Sequence, residues 1–203
     1  MTWLLLTTLA CAGDPKSTDK PTPPPPLKAG QAEAIFAMGC FWCGESDFEH
    51  LPGVIDAVSG YAGSERDAPT YHTVSTGLTG YTEAVRVVYD PKKLDYATLL
   101  DYFWHHIDPT DGGGQFCDRG SEYRSAVFPI DDAQRSAAVA SRAGVEATLG
   151  QPVATQVENV GKFWVAEAYH QNFWKTNPDH YQRYRAGCGR DAKVAAVWAN
   201  AAK

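Results

Sequence analysis

Two cysteines, Cys40 and Cys43, stand two aromatic residues apart in the stretch MGCFWCGE. A thiolate is both a nucleophile and a soft metal ligand, so this spacing supports three chemistries: a dithiol redox couple, half of a metal site, or one nucleophile with an incidental neighbour. Glu83 lies in YTEAVRVVYD, whose alternation sets Glu83, Val85, Val87 and Tyr89 on one strand face and Ala84, Arg86 and Val88 on the other. A carboxyl among apolar neighbours keeps its proton and can act as a general acid, although a strand-end glutamate in water fits the pattern equally well. Tyr71 in APTYHTV and Tyr123 in DRGSEYRS bring hydroxyl donors in loops where site residues gather, and either also reads as a packed aromatic.

The run AEAIFAMG ends in glycine, and FWCGESDFEHLPG then places Phe48 and Leu51 at helical spacing before a Pro-Gly stop. Cys40 therefore opens a helix behind a strand, where free N–H groups and the helix dipole are expected to lower its pKa. In thioredoxin-like proteins that same element carries both cysteines. Here Gly39 precedes the first cysteine, bulky Phe41 and Trp42 fill the interval, and no later proline-bearing strand is identifiable as the partner loop. A four-thiolate zinc site would draw on Cys117 and Cys188, each solitary, whereas structural zinc normally takes two close pairs. A buried, inert thiol suits Cys117 or Cys43 better than Cys40, and Phe41 and Trp42 are more often core residues than pocket walls.

The elements that must position these residues follow from patterning. VIDAVSGYAG and GLTGYTEAVRVVYDP read as strands, and DYATLLDYFWHHIDP as an amphipathic helix with a stripe of Leu99, Leu100, Phe103, Trp104 and Ile107. The glycine-rich DGGGQFCDRGSEYRSAVFPI is loop into strand. DDAQRSAAVASRAGVEATLG is a helix from a capping aspartate to a glycine, QPVATQVENV a last strand, and the aromatic-rich remainder helix or loop. With no internal repeat, one α+β domain follows.

The chain has 203 residues and a formal net charge of -6, enough for one domain that buries a core without disulfide staples. Cysteine is thus chemistry before scaffold. No Lys/Arg block marks a nucleic-acid or anionic-membrane surface. Residues 1–12 read as an export signal, with Cys11 after TLA as in a bacterial lipoprotein; residues 13–30 are a proline-rich tether, and 31–203 the folded domain.

Taken together, GCFWCGE, PGVIDAVSGYAG, PTYHTVSTGLTGYTEAVRVVYDP, DRGSEYRSAVF and AEAYHQNFWKTNP, in that order, resemble the A-type peptide methionine sulfoxide reductases. The resemblance spans about Ala32 to Asp191. It implies a two-layer α+β sandwich, a mixed ferredoxin-like sheet packed by helices with an irregular C-terminal segment. It also implies reduction of the S epimer of methionine sulfoxide, with Cys40 as nucleophile, Glu83 as acid, Tyr71 and Tyr123 as donors to the sulfoxide oxygen and Asp118 beside them. Phe41 and Trp42 would receive the S-methyl group. Cys188 matches the family's C-terminal recycling cysteine, with Cys43 the alternative resolving thiol. No metal or cofactor is implied, only an external dithiol such as thioredoxin or a periplasmic counterpart. The partners are oxidised proteins, and the expected form is a monomer, periplasmic or anchored in the inner or outer membrane as a lipoprotein, otherwise cytoplasmic.

Overall fold

The computed structural model describes residues 20–201; the signal-like segment 1–12, with Cys11, lies outside the described residues. The chain runs β1 (Ala32–Met38), α1 (Phe41–Glu49), β2 (Val54–Ala62), α2 (Tyr71–Val74), β3 (Thr82–Tyr89), α3 (Tyr96–Trp104), β4 (Gly114–Gln115), β5 (Asp118–Arg119), β6 (Ser125–Phe128), α4 (Asp132–Leu149), β7 (Gln156–Val157), β8 (Trp164–Val165), α5 (Phe173–Thr176), α6 (Pro178–Gly187) and α7 (Arg190–Ala201). Six strands form one sheet in the order β7-β6-β1-β3-β2-β8, antiparallel except for β6 with β7. Its inner four strands, β6-β1-β3-β2, with α1 and α3 as crossovers, make the expected ferredoxin-like arrangement.

The sheet buries both faces, for different reasons. Ala34, Phe36, Met38, Val85 and Val87 meet Phe48 of α1, Leu99, Phe103 and Trp104 of α3 and Ala138 of α4 in the main core. On the other face Ile35, Ala37, Ala62, Ala84, Ala126 and Phe128 pack under Phe163. The small residues there let a loop, rather than a helix, lie close to the strands. Asp95 and Asp131 cap α3 and α4 by accepting the N–H groups of Thr98 and Gln134, both at 2.7 Å, and Gly150 ends α4 with φ +65°.

Three expectations change. The last strand is only Gln156–Val157, and Trp164–Val165 adds a short strand to the β2 edge. The irregular C-terminal segment is helical: Pro178 starts α6 at a position where a missing N–H costs nothing, and α7 packs on α4. The described part of the proline-rich tether is not free, because Thr22, between two prolines that lack N–H groups, exchanges backbone hydrogen bonds with Val165. Backbone pairing at an exposed sheet edge needs no large apolar side chain.

A Cβ added at Gly60 would meet the Phe163 ring at 2.3 Å and the Trp164 carbonyl oxygen at 2.4 Å. Gly60→Ala is therefore expected to destabilise the domain by about 1–3 kcal/mol through overpacking. Chemical denaturation reads this directly, and an unchanged midpoint would mean that the loop does not press on β2.

Candidate active site

Three elements bring the reactive side chains together. Gly39, at φ +76° and with Gln115 Cβ only 2.6 Å from where its own Cβ would stand, makes the turn from β1 into α1 that only glycine fits. Cys40 is the N-cap of α1, yet its side chain takes no capping hydrogen bond. The first helical N–H, that of Phe41, is donated instead to Glu83 Oε2 on β3, at 2.9 Å. Tyr71 opens α2 and Tyr123 ends a short 3₁₀ turn after β5, and both side chains reach the same cavity.

A cavity of about 70 Å³ is lined by Cys40, Phe41, Trp42, Tyr71, Glu83, Asp118 and Tyr123, together with Tyr184 from α6. A much larger depression, about 800 Å³ beside α4 and Gly150, holds no nucleophile and none of these residues. Glu83 is 3 % exposed, which settles the even choice left by its strand pattern in favour of the buried carboxyl. Burial pushes its pKa well above the ordinary carboxylate value, with the Phe41 N–H opposing, which favours the protonated form. Asp118 is also raised, mainly by burial, and accepts a hydrogen bond from the Tyr184 hydroxyl. Burial and the neighbouring negative charges raise Tyr71, Tyr123 and Tyr184, which stay protonated donors.

The expected depression of the Cys40 pKa is not what the pocket produces. Burial, the hydrogen bond and charge of Cys43, and the nearby Glu83 push the Cys40 thiol up, against one lowering contact from Tyr184. The dipole contribution expected at the helix end is outweighed because Glu83 occupies the first free N–H. Cys43 is pulled down, first by the hydrogen bond it accepts from Cys40 and then by Arg190 and Arg185.

The other two described cysteines lie apart from this pair. Cys117 and Cys188 form a disulfide, so Cys188 is not a free thiol, and Cys117 is exposed rather than buried and inert. The pairing also separates the four thiols that zinc would need into two redox-distinct pairs.

Several residues of the site carried no sequence signal beyond their place in AEAYHQNFW or, for Glu45, in MGCFWCGE. His170 is 1 % exposed and accepts a hydrogen bond from the Trp42 indole N–H at its Nδ1, 3.1 Å away. Burial lowers its pKa to about 4, which keeps the ring neutral against Phe41 and Tyr71. Glu167 accepts from the Tyr71 N–H and the Tyr61 hydroxyl, both at 2.8 Å, and so fixes the start of α2. Glu45 accepts from the Asn172 N–H at 2.8 Å and the Ser59 hydroxyl at 2.7 Å, tying α1 to the C-terminal arm. Phe173 stacks on Trp42 with ring centroids 3.7 Å apart. A polar residue in an aromatic-rich stretch was the available signal, and it names no partner.

The arrangement offers a sulfur nucleophile, a neutral acid and two hydroxyl donors around one small aromatic-walled space. Residues 32–202 match the family model described as peptide methionine sulfoxide reductase. The chain is 47 % identical to "Peptide methionine sulfoxide reductase MsrA 2" of Rhizobium meliloti, over 87 % of this chain and 89 % of that protein. It is 46 % identical to "Peptide methionine sulfoxide reductase MsrA" of Bacillus subtilis, over 81 % of this chain and 94 % of that one. Among solved structures, Mxr1 from Saccharomyces cerevisiae in reduced form superposes with TM-score 0.70 at 31 % identity, covering 78 % of this chain and 90 % of that one. Methionine sulfoxide reductase A of Corynebacterium diphtheriae gives 0.69 at 31 %, covering 74 % and 77 %.

Burial raises the Glu45 carboxyl from 4.5 to about 7, so the folded state holds its proton more tightly than the unfolded chain does. Stability from this group is full below about 4.5 and falls by about 3 kcal/mol as pH rises to about 7. Glu45→Gln should flatten that part of the curve. Denaturant midpoints for both proteins across this range test it, and equal slopes would assign the titration elsewhere.

Proposed function

The chain belongs to the peptide methionine sulfoxide reductase family, and on that premise we propose that it reduces the S epimer of methionine sulfoxide to methionine at Cys40. One observation carries the reading: Cys40 and the neutral carboxyl of Glu83 face one cavity, held in register by the 2.9 Å hydrogen bond from the Phe41 N–H to Glu83. The aromatic faces of Phe41 and Trp42 take the S-methyl group. The Tyr71 and Tyr123 hydroxyls and Glu83 surround the sulfoxide oxygen.

Sulfoxide sulfur becomes a good electrophile only when its oxygen gains a proton, which Glu83 supplies. The Cys40 sulfur attacks and gives up its proton as its bond to the sulfoxide sulfur forms. The S–O bond breaks, the thioether leaves, and Cys40 carries a sulfenic acid. The Cys43 sulfur then displaces that oxygen as water and forms a Cys40–Cys43 disulfide. We take Cys43, rather than Cys188, as the resolving thiol; in support, Cys43 lies in the same buried cluster one helical turn from Cys40, its backbone N–H donates to the Cys40 carbonyl, and Cys188 is tied to Cys117. Asp118 and Tyr184 hold each other and orient the Cys40 side of the pocket. No prosthetic group takes part; both electrons come from thiols and are replaced by an external dithiol of the thioredoxin type.

We read the chain as exported, its apolar WLLLTTLA run meeting Cys11 as in lipid-anchored bacterial proteins. A membrane fraction whose protein retains Met1 would rule this out.

Three measurements test the chemistry. Given racemic peptide methionine sulfoxide and dithiothreitol, the protein should consume only the S epimer, and Cys40→Ser should consume neither; consumption of the R epimer alone would refute the assignment. Glu83→Gln, which keeps the shape but has no acidic proton, is expected to slow the first turnover by roughly 100-fold or more. Cys43→Ser should form a first methionine and leave a sulfenic acid on Cys40 that dimedone traps. Unimpaired cycling in that variant would return the resolving role to Cys188.

A further inference from the structure

Cys117 and Cys188 bring a third donor with them. Asp118 Oδ1 lies 3.7 Å from Cys117 Sγ, and the two sulfurs and a carboxylate oxygen of Asp118 all fall within 4.8 Å of one another. Among the described residues no other three Cys, His, Asp or Glu side chains gather their ligand atoms so closely. Two thiolates and a carboxylate are a donor set that suits zinc, with Zn–S about 2.3 Å and Zn–O about 2.1 Å. A tetrahedral ion at those bond lengths needs its sulfurs about 3.8 Å apart and each sulfur about 3.6 Å from the oxygen. The distance from Cys117 to Asp118 already fits, so once the disulfide is reduced only Cys188 Sγ has to shift.

The donors stay together without the disulfide, because other contacts hold each of them. Cys117 sits with Phe116 at the turn of the β4–β5 hairpin, in which Gln115 pairs with Asp118. Gln115 is wholly buried, and its side chain accepts from the Asp108 N–H at 2.8 Å and donates to the Asp108 carbonyl oxygen at 2.9 Å. Arg190 lays its guanidinium over the Phe116 ring, 4.6 Å from the centroid, and donates to the Met38 and His106 carbonyl oxygens at 3.0 and 2.9 Å. One buried arginine thus fixes both the hairpin turn beside Cys117 and the chain two residues after Cys188. Freedom to adjust is local to Cys188: neither Gly187 nor Gly189 has a neighbour within 4 Å of where a Cβ would stand. Cys117 is exposed, which leaves the fourth ligand position to water.

We infer that Cys117 and Cys188, when reduced, form with Asp118 a binding site for one zinc ion or a similar soft divalent cation, and that the bound ion restrains the adjoining pocket. A dithiol opens the Cys117–Cys188 bond and leaves as its own disulfide. Zinc then displaces the two thiol protons to solvent and takes both sulfurs and Asp118 Oδ1. No electron moves in the binding step. Peroxide, reduced to water, takes two electrons from the thiolates, restores the disulfide and releases the ion. The other Asp118 oxygen accepts from the Tyr184 hydroxyl, and both residues line the Cys40 cavity, so the ion sits at the pocket wall and ties α6 to it. The restraint rests on the reductase reading; the site does not.

The test uses the full chain, reduced with a phosphine, freed of it without air, and titrated with zinc against a chromogenic chelator. One ion should bind per chain, and cobalt(II) in its place should show a thiolate charge-transfer band. Cys117→Ser should weaken zinc binding by roughly 100-fold or more, whereas Cys43→Ser should leave it unchanged. Absence of binding, or binding lost in Cys43→Ser and kept in Cys117→Ser, would overturn the site. So would an ion that stays bound after peroxide has restored the Cys117–Cys188 disulfide. In parallel, zinc should slow formation of the first methionine by roughly tenfold in the unsubstituted protein and leave Cys117→Ser at its metal-free rate. Equal rates with and without zinc in the unsubstituted protein would refute the restraint alone. No methionine from the metal-free protein would refute the reductase reading and the restraint with it, while the titration still decides the site.

Discussion

The hydrogen bond from the Phe41 N–H to the Glu83 carboxyl is the constraint on which the site depends. It joins the first turn of α1 to the middle of the sheet, across 42 residues of sequence, and it satisfies one of the N–H groups that every helix start leaves unpaired. Because Cys40 immediately precedes that N–H, the proposed nucleophile and the proposed acid are set by a single contact. A carboxyl oxygen is a stronger acceptor than a thiol sulfur, so the helix end serves the glutamate. Cys40 is left to burial and to Cys43, and its proton stays until a partner takes it.

Burial is what makes this chemistry work and what complicates its completion. A dry aromatic pocket keeps Glu83 protonated and strengthens each hydrogen bond to an entering sulfoxide. The dryness is maintained by the C-terminal arm. Phe173 stacks on Trp42, Glu45 receives the Asn172 N–H, the Trp174 indole donates to Glu49 at 2.7 Å, and Arg190 reaches into the β1 end to grip Met38. An arm fixed at that many points shields the reacting sulfurs from water and from a protein reductant alike.

Much of this was legible in the chain, for identifiable reasons. The strands β1, β2 and β3, the helices α1, α3 and α4, and the caps of α4 at Asp131 and Gly150 came from period and local hydrogen bonding, which act over a few residues. The C-terminal arm was less legible. Its helices are short, rich in aromatic and polar residues, and take their stability from packing on α1 and α4 rather than from propensity. The two-residue strands β7 and β8 form because a neighbouring strand offers free backbone groups, a property of the neighbour and not of their own residues.

The sequence by itself determined the fold class, a cysteine at a strand-to-helix turn, and a glutamate on an apolar strand face, since each follows from residue type and local periodicity. Tertiary structure decided the rest. Whether Glu83 is buried or wet, which direction the Cys40 pKa moves, and that His170 and Glu167 hold Trp42 and Tyr71 all depend on groups that are remote in the chain. The pairing of Cys117 with Cys188, 71 residues apart, belongs to the same class. The physical reason is common to all of these: desolvation, ion proximity and disulfide bonding depend on distances in space, and spacing along the chain constrains those distances only within one helix or one strand.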